Sequence, residues 1–270
     1  MNSEKAIDAN PPEFQGEKGQ RIAIRRDSLK ETADHNGSPR VHVMFCGGFH
    51  SSMLGTKAGF LAQFCKARQW SYTRFDYRGH GESEGSTQDL TLKDWLEDTL
   101  NVLDSIDGQV LLVGSSMGGW LATLAALRRP EKVTGLVLLA AAPDFLQELI
   151  APRLGAAQNW ELQQDKVVLL ENNYDKPHPI TRALLDSGRD LALLDTPSLP
   201  GQPALAELAC PVRLLHGTHD TDVPYELSVR LMGAIQHDDA RLTLLHRADH
   251  RLSDERSLRM LASELMDLAD

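Results

Sequence analysis

Short apolar strands alternate with helical stretches along most of the chain, and this alternation limits the folds open to it. Helical periodicity appears at Thr56–Arg68, Leu92–Ile106, Gly118–Arg128, Glu226–Ile235 and Leu258–Leu268. Runs of β-branched and large apolar residues predict strands at Val41–Cys46, Ser71–Phe75, Val110–Val113, Val133–Leu139, Val212–His216 and Arg241–Leu245. Alternation of this kind is typical of βαβ units, which build a mostly parallel sheet covered by helices on both faces. We therefore predict an α/β fold.

Two regions depart from the alternation. Residues 142–207 are helix-like, loop-rich and broken by several prolines, and they lie between two predicted strands. Because ligands bind at the carboxyl ends of strands in open α/β sheets, we expect this insertion to form a cap over that edge. Residues 1–20 are polar and acidic, which predicts a flexible tail before a first strand near Arg21–Arg26. We therefore expect one domain over residues 21–270, with the cap inserted at 142–207.

The charge balance restricts the partners of the chain. It has 28 basic and 38 acidic residues among 270, a net charge of −10. Binding to a nucleic-acid backbone or to an anionic membrane requires a basic surface, so neither is expected. No apolar run is long enough to span a membrane. The remaining expectation is a small-molecule or acyl-bearing partner.

The cysteines and the N-terminal residues predict the compartment. The three cysteines are widely spaced and lie outside any C-x-x-C motif, which favours reduced thiols over a disulfide framework. The first twenty residues show neither an apolar secretion core nor an Arg-rich amphipathic import segment. We therefore expect a cytoplasmic protein.

The segment Val110–Trp120 contains the strongest chemical motif, G-x-S-x-G, formed by Gly114, Ser115, Ser116, Met117 and Gly118. A hydrophobic strand precedes it and an Ala/Leu-rich helix follows, which is the context of a nucleophile elbow. The flanking glycines let strand and helix pack closely around a strained turn. Ser116 is the predicted nucleophile, with Ser115 as its rival.

A second glycine turn follows the strand Val41–Cys46. In a fold with a nucleophile elbow, one oxyanion donor is the backbone N–H after the nucleophile, here Met117. The other comes from the loop after an earlier strand, and the spacing after Gly48 indicates the N–H of Phe49. An ordinary strand-to-helix turn is the alternative. The side chains of Phe49 and His50 are candidates for lining an acyl pocket or for packing.

The acid and the base are predicted after the last two strands. Asp220 follows the strand Val212–His216 with H-G-x-x-D spacing, Asp222 could replace it, and Asp144 is an outside candidate. His250 follows the final strand and is the predicted base. The resulting order Ser, Asp, His distinguishes this arrangement from other Ser–His–Asp triads.

Two further motifs favour structural explanations. Residues 75–83 resemble a dinucleotide fingerprint, but Glu84 stands where the third glycine belongs and no helix opens there, so we expect Asp76, Arg78 and Ser83 to brace the site instead. His216 and His219 could imitate metal ligands but lack helical spacing. We predict no metal and no cofactor.

From about Arg21 to its end, the chain resembles the α/β-hydrolase superfamily, and more closely a family of mitochondrial palmitoyl-protein thioesterases, also described as acyl-glucuronide esterases, and their bacterial relatives. The matching segments are Gly55–Ala58, Arg74–Tyr77, Val113–Trp120, Arg129–Val133, Arg213–Gly217 and Asp249–Arg251. The resemblance implies an α/β-hydrolase fold with a small cap, and it places the family's catalytic serine, aspartate and histidine on Ser116, Asp220 and His250.

The resemblance also implies the chemistry. It indicates a serine hydrolase that cleaves acyl thioesters or carboxylic esters through an acyl-serine intermediate, acting on a small molecule or on an S-acylated protein. Two alternatives stay open. One is a carboxylesterase of small esters, and the other is a non-catalytic ligand receptor on the same scaffold.

Overall fold

The computed structural model of the chain describes residues 11–27, 41–171, 177–194 and 205–269. Within this part of the chain the strands are β1 Glu13–Gln15, β2 Ile22–Asp27, β3 His42–Cys46, β4 Ser71–Asp76, β5 Val110–Ser115, β6 Val133–Leu139, β7 Val168–Leu170, β8 His178–Ile180, β9 Val212–Gly217 and β10 Ala240–Leu245. The α-helices are α1 Thr56–Arg68, α2 Leu92–Asp104, α3 Met117–Arg128, α4 Ala156–Gln163, α5 Arg182–Asp190, α6 Glu226–Ala234 and α7 Glu255–Ala269.

One eight-stranded sheet forms the centre of the molecule, in the order β1-β2-β4-β3-β5-β6-β9-β10. Pairing is parallel from β4 through to β10, whereas β1 and β2 are antiparallel to their neighbours. Parallel strands present their carboxyl ends at one edge, so the loops after β3, β5, β9 and β10 converge there. The predicted α/β-hydrolase fold is confirmed.

Helices cover both faces of the sheet, which explains why the central strands are apolar along their whole length. Helices α2, α3 and α6 pack on one face and α1 and α7 on the other. Helix α3 is the most buried, since nearly all of its side chains are apolar. The anchor residues of the core include the fully buried Trp95 and Trp120, and the Trp120 indole N–H donates to the Leu191 carbonyl at 3.1 Å. Buried indoles of this kind need a partner for their N–H.

Two findings revise the sequence-based boundaries. Strand β1 falls inside the segment predicted as a flexible tail and pairs with β2 from Glu13↔Ile24 to Gln15↔Ile22, so that prediction is wrong for residues 13–15. Its three residues are too few to show a period in the sequence. The predicted tail residues 1–10 lie outside the described residues. Helix α7 also begins earlier than predicted, at Glu255 rather than Leu258.

Between β6 and β9 the described residues form small elements. A π-helical turn at Leu146–Ile150 and a 3-10 turn at Ala151–Arg153 precede α4, and a two-stranded antiparallel sheet of β7 and β8 leads into α5. No helix among the described residues has both the length and the apolar character to cross a membrane.

Candidate active site

Ser116 lies at the junction of β5 and α3. Its backbone has φ 56° and ψ −121°, a conformation that residues with a side chain rarely adopt. The surrounding backbone holds this turn in place, because the Ser116 N–H donates to Leu139 and the Ser116 carbonyl accepts from Gly119 and Ala142, at 2.9 to 3.1 Å. Strain that neighbouring structure maintains in this way is typical of functional sites.

The glycines of the motif are explained by close backbone approach. A Cβ atom added at Gly114 would lie 2.4 Å from the Gly118 carbonyl oxygen, and one added at Gly118 would lie 2.1 Å from the Cys46 carbonyl oxygen. Both distances are far below van der Waals contact, so any side chain would push α3 away from β5 or β3. The glycines therefore allow the elbow to form, as the sequence motif predicts.

The structure brings the predicted triad residues together. His250 Nε2 lies 3.1 Å from Ser116 Oγ, and His250 Nδ1 lies 2.7 Å from Asp220 Oδ2. Since an ionised carboxylate only accepts hydrogen bonds, Nδ1 carries the proton and Nε2 is free to accept from the serine hydroxyl. The three residues come from the ends of β5, β9 and β10.

The side chain of Asp220 is fully buried, and both of its carboxylate oxygens accept hydrogen bonds. Oδ1 accepts the backbone N–H groups of Asp222 and Val223 at 2.9 and 2.8 Å, and Oδ2 accepts His216 Nε2 at 3.0 Å as well as His250. Burial alone would raise the pKa of Asp220, but the hydrogen bonds from His216 and His250 outweigh it and hold that pKa well below its usual range. The carboxylate is therefore ionised and fixed against the His250 ring.

His216 has a structural position that its sequence context does not predict, since on sequence it only imitates a metal ligand. It is completely buried, and its Nδ1 lies 2.7 Å from the Ser228 hydroxyl, so both ring nitrogens have partners. It buttresses Asp220 from the side opposite His250. The H-G-x-x-D spacing includes this histidine four residues before the aspartate, and that was the available signal.

The alternative residues occupy other positions. Ser115 is the last residue of β5, paired with Leu139 and only 6% exposed. Asp222 contributes its backbone N–H to Asp220 rather than a carboxylate to His250. The Asp144 carboxylate accepts the N–H groups of Leu193 and Leu194, which anchors the segment after α5.

The two predicted oxyanion donors flank Ser116. Met117 is the first residue of α3, so its N–H has no acceptor within the helix. The loop that carries Phe49 follows β3, and a Cβ added at Gly48 would lie 3.3 Å from Ser116 Cβ. The backbone of this loop therefore runs directly beside the serine, and both Phe49 and Met117 line the same cavity as Ser116.

The loop after β3 is held in place by β4 and by residues 75–83, the segment that resembles a dinucleotide fingerprint. The Asp76 carboxylate accepts the Met53 N–H at 2.6 Å and the Glu82 N–H at 2.9 Å, and Arg74 donates to the Met53 carbonyl at 3.0 Å. Arg78 binds the buried Asp98 with its Nε at 2.6 Å. These contacts agree with the bracing role expected from the sequence.

A cavity of about 1330 Å³ opens above Ser116 and His250. Residues from the segment between β6 and β9 form one wall, including Phe145, Leu149, Ile150, Pro152, Arg153 and His178. Lys57, Arg251 and Ser253 lie on the side where His250 enters. The segment between β6 and β9 thus lines the cavity with apolar side chains and also with charged ones, namely Glu148, Arg153 and Glu171.

Three histidines gather around Phe49. The His50 and His178 rings stack with centroids 4.5 Å apart and an interplanar angle of 8°, and His80 lies 5.5 Å from His50. Burial lowers the pKa of His80 and of His178 to about 4, and it also lowers the pKa of His50. The rings are therefore neutral at pH 7 and pack as aromatic groups against Phe49.

One group of three side chains in the described part of the chain has its ligand-type atoms within 4.8 Å of one another, namely Asp220, Asp222 and His250. Asp220 and His250 already satisfy each other through the 2.7 Å hydrogen bond.

Comparison with known proteins defines the class. The sequence profile of the Alpha/beta hydrolase family matches residues 41–263. The chain therefore belongs to the α/β hydrolase family and is a hydrolase.

Individual proteins of this family are similar to the chain over most of its length. The chain is 33% identical to the human protein named "Palmitoyl-protein thioesterase ABHD10, mitochondrial" over 231 residues, which is 84% of this chain and 72% of the relative. The bovine protein of the same name is 34% identical over the same shares. The solved structure of mouse alpha/beta hydrolase domain-containing protein 10 matches with a TM-score of 0.79 and 30% identity, covering 96% of this chain and 98% of that one. A putative hydrolase from Agrobacterium vitis matches with a TM-score of 0.82 and 33% identity, covering 97% and 100%.

These relatives correct one sequence-based expectation. The names of the mammalian proteins place them in mitochondria, which contradicts the prediction of a cytoplasmic protein. That prediction relied on the composition of the first twenty residues, of which residues 1–10 lie outside the described part of the chain.

Proposed function

We propose that this hydrolase cleaves acyl thioesters and carboxylic esters through an acyl-serine intermediate, with Ser116 as nucleophile, His250 as general base and Asp220 as the acid that orients the base. The observation that carries the proposal is the continuous chain of hydrogen bonds Ser116–His250–Asp220 at the floor of the cavity. The mammalian relatives, which are named palmitoyl-protein thioesterases, support the same chemistry.

In the first half-reaction Ser116 Oγ attacks the acyl carbonyl carbon while its proton passes to His250 Nε2. The resulting oxyanion accepts hydrogen bonds from the N–H groups of Phe49 and Met117, and donors of this kind contribute about 3 kcal/mol each to transition-state stabilisation. Asp220 stabilises the imidazolium. His250 then donates the proton to the leaving thiol or alcohol as the bond from carbon to sulfur or oxygen breaks.

In the second half-reaction water attacks the acyl-serine carbonyl. His250 Nε2 accepts a proton from this water, and the same oxyanion donors act again. Collapse of the tetrahedral intermediate releases the carboxylic acid, and the proton on His250 returns to Ser116 Oγ. The cycle consumes one water and restores the hydroxyl, so no cofactor is required.

The substrate class follows from the walls of the cavity. We propose that residues 142–207 act as the cap and that its apolar residues Phe145, Leu149 and Ile150 hold the acyl chain. The leaving group then lies on the side of His250, because that residue must protonate it. A long-chain acyl thioester, free or attached to the cysteine of an S-acylated protein, fits this arrangement.

The test is a series of thioesters and oxyesters with acyl chains of increasing length, hydrolysed by the purified protein with Ser116→Ala as the blank. We expect turnover of both bond types and none above background in the variant. Binding of the same compounds without turnover would instead indicate a receptor on the hydrolase scaffold.

A further inference from the structure

Lys57 is a cation in the catalytic cavity to which the proposed reaction assigns no role. It is the second residue of α1, it is half-buried, and it lines the cavity together with Ser116 and His250. Its ammonium donates a hydrogen bond to the backbone carbonyl of Arg251, the residue that follows His250. The contact joins positions 194 residues apart in the sequence.

This contact completes the attachment of the loop that carries His250. On its first side the loop is tied to the segment after β9, because Arg247 N–H donates to Thr218 Oγ1 at 2.9 Å and the Ala248 carbonyl accepts from His219 at 3.0 Å. On its second side the loop turns back through Asp249, whose carboxylate accepts the Arg251 N–H at 3.1 Å. Lys57 connects this second side to α1, which starts just after the oxyanion loop.

Burial and the neighbouring charged side chains set the pKa of Lys57. Burial lowers the pKa of Lys57 to about 8, while Asp249 and Asp220 raise it and Arg251 lowers it further. The side chain is therefore still mostly an ammonium at pH 7.

We infer that Lys57 is a positioning residue for the proposed reaction: its ammonium holds the His250 loop against α1 and so keeps the His250 ring aligned with Ser116 Oγ. The inference rests on the proposed function, since it assumes that His250 is the base. A loosened base costs rate even when every catalytic residue is present, because proton transfer depends on sub-ångström geometry.

The test compares three variants with a matched control. Lys57→Met removes the charge and the donor, Lys57→Gln removes the charge but keeps a polar group, and Lys57→Arg keeps both. Lys66→Met is the control, because Lys66 is an exposed lysine on the same helix. The readouts are kcat and KM for one thioester, the rate of fluorophosphonate labelling, and thermal unfolding.

We expect Lys57→Met to lower kcat by roughly ten- to a hundredfold with little change in KM. In Lys57→Met and Lys57→Gln the rate of fluorophosphonate labelling should fall together with kcat, because the base that activates Ser116 is held less firmly. Lys57→Arg should restore both, and Lys66→Met should resemble the wild type. Should Lys57→Met not fold, Lys57→Gln still tests the loss of labelling rate.

Results that contradict the Lys57 inference differ from those that contradict the proposed function. If a folded Lys57→Gln keeps the wild-type kcat and labelling rate, or if Lys57→Arg is as slow as Lys57→Met, the inference is wrong. A loss confined to thermal stability or to KM would also overturn it. If the wild-type protein is not labelled at Ser116, the proposed function itself fails, whatever the Lys57 variants show.

Discussion

The buried Asp220 carboxylate is the most constrained group in the site, because four donors converge on its two oxygen atoms. Two of these donors are histidine rings and two are backbone N–H groups, so the carboxylate cannot rotate without breaking a hydrogen bond. Asp222 lies two residues away, is partly exposed, and supplies only its N–H to this network. The two aspartates are therefore close in sequence but differ in the hydrogen bonds that they make.

This inequality gives the first prediction. Asp220→Asn should lower kcat by about 10⁴-fold, because an amide in place of the carboxylate no longer fixes the His250 tautomer. Asp222→Asn keeps its backbone N–H and should change kcat by less than about tenfold. Steady-state kinetics on both folded variants measure the difference. Losses of similar size would mean that the two carboxylates share the role.

The second prediction concerns His80, which is 4% exposed. Burial lowers its pKa to about 4 despite a hydrogen bond to the Arg78 carbonyl, and the neighbouring His50 and His178 lower it further. Between pH 6.5 and 4 the unfolded chain therefore binds a proton that the folded chain does not, so stability falls as the pH falls through this range. The loss amounts to on the order of 3 kcal/mol at pH 4.

His80→Gln should remove this contribution and make the pH dependence of the unfolding free energy between pH 6.5 and 4 less steep, while His178 still contributes its own part. Denaturant unfolding at several pH values measures it, with the exposed His246→Gln as the control. An unchanged slope in His80→Gln would show that His80 does not remain neutral in the folded protein.

At the residue scale, the sequence predicts that Ser116, Asp220 and His250 lie near one another, because each comes soon after a recognisable strand and parallel strands end at one edge. It was not sufficient for His216 or Lys57. Their roles depend on hydrogen bonds to Asp220 and to the Arg251 carbonyl, and these exist only once separate elements pack together. Local sequence carries no signal for such contacts.

At the scale of elements, the site depends on how closely β3, β5 and the start of α3 approach one another. The glycines at 114 and 118 remove the side chains that would stand between these backbones. As a result the positive end of the α3 dipole points at the serine, where it favours the developing negative charge. The close packing of these backbones is therefore what allows the elbow to form.

The third prediction follows from this packing. Gly118→Ala would place a Cβ atom 2.1 Å from the Cys46 carbonyl oxygen, so we expect a destabilisation on the order of 3 kcal/mol together with loss of activity. Gly59 lies in α1 with nothing within 4 Å of an added Cβ. Gly59→Ala should therefore stabilise the protein by about 0.5–1 kcal/mol at unchanged kcat. Chemical denaturation and steady-state kinetics measure both, and a tolerated Gly118→Ala would contradict the account of the elbow.

The long elements were predictable from sequence and the short ones were not. Strand β6 and helix α1 have the predicted bounds, since several periods of apolar residues define them. Strands β1, β7 and β8 have only three residues each, too few to establish a period of two. Their strand conformation comes from pairing with a neighbour.

At the scale of the whole molecule, the segment between β6 and β9 converts an open sheet edge into a cavity. In the sequence of this segment Leu146, Leu149, Ile150 and Leu184 are apolar, which makes each of them a candidate for contact with an acyl chain. Only Leu149 and Ile150 line the cavity, whereas Leu146 and Leu184 are completely buried in the core. Sequence shows that these positions are apolar, but it does not show which side of a small element faces the ligand.

This distinction gives the fourth prediction. Each methylene buried in the cavity contributes about 0.8 kcal/mol, so kcat/KM should rise roughly fourfold per methylene and then reach a plateau. Leu149→Trp should move the plateau to shorter chains, because it fills part of the cavity. Leu184→Ala is the matched control, which should cost about 2–5 kcal/mol of stability and leave the plateau in place. A chain-length profile that is flat, or that Leu149→Trp does not alter, would show that the acyl chain binds elsewhere.

Active-site labelling tests whether Ser116 forms the covalent intermediate. The purified protein is incubated with a fluorophosphonate, and the modified residue is identified by peptide mass spectrometry. The same reaction is run on Ser116→Ala and Ser115→Ala, with circular dichroism to verify that both are folded. We predict a single adduct on Ser116 in the wild type and in Ser115→Ala, and none in Ser116→Ala. An adduct that persists in Ser116→Ala and disappears in Ser115→Ala would contradict the assignment of the nucleophile.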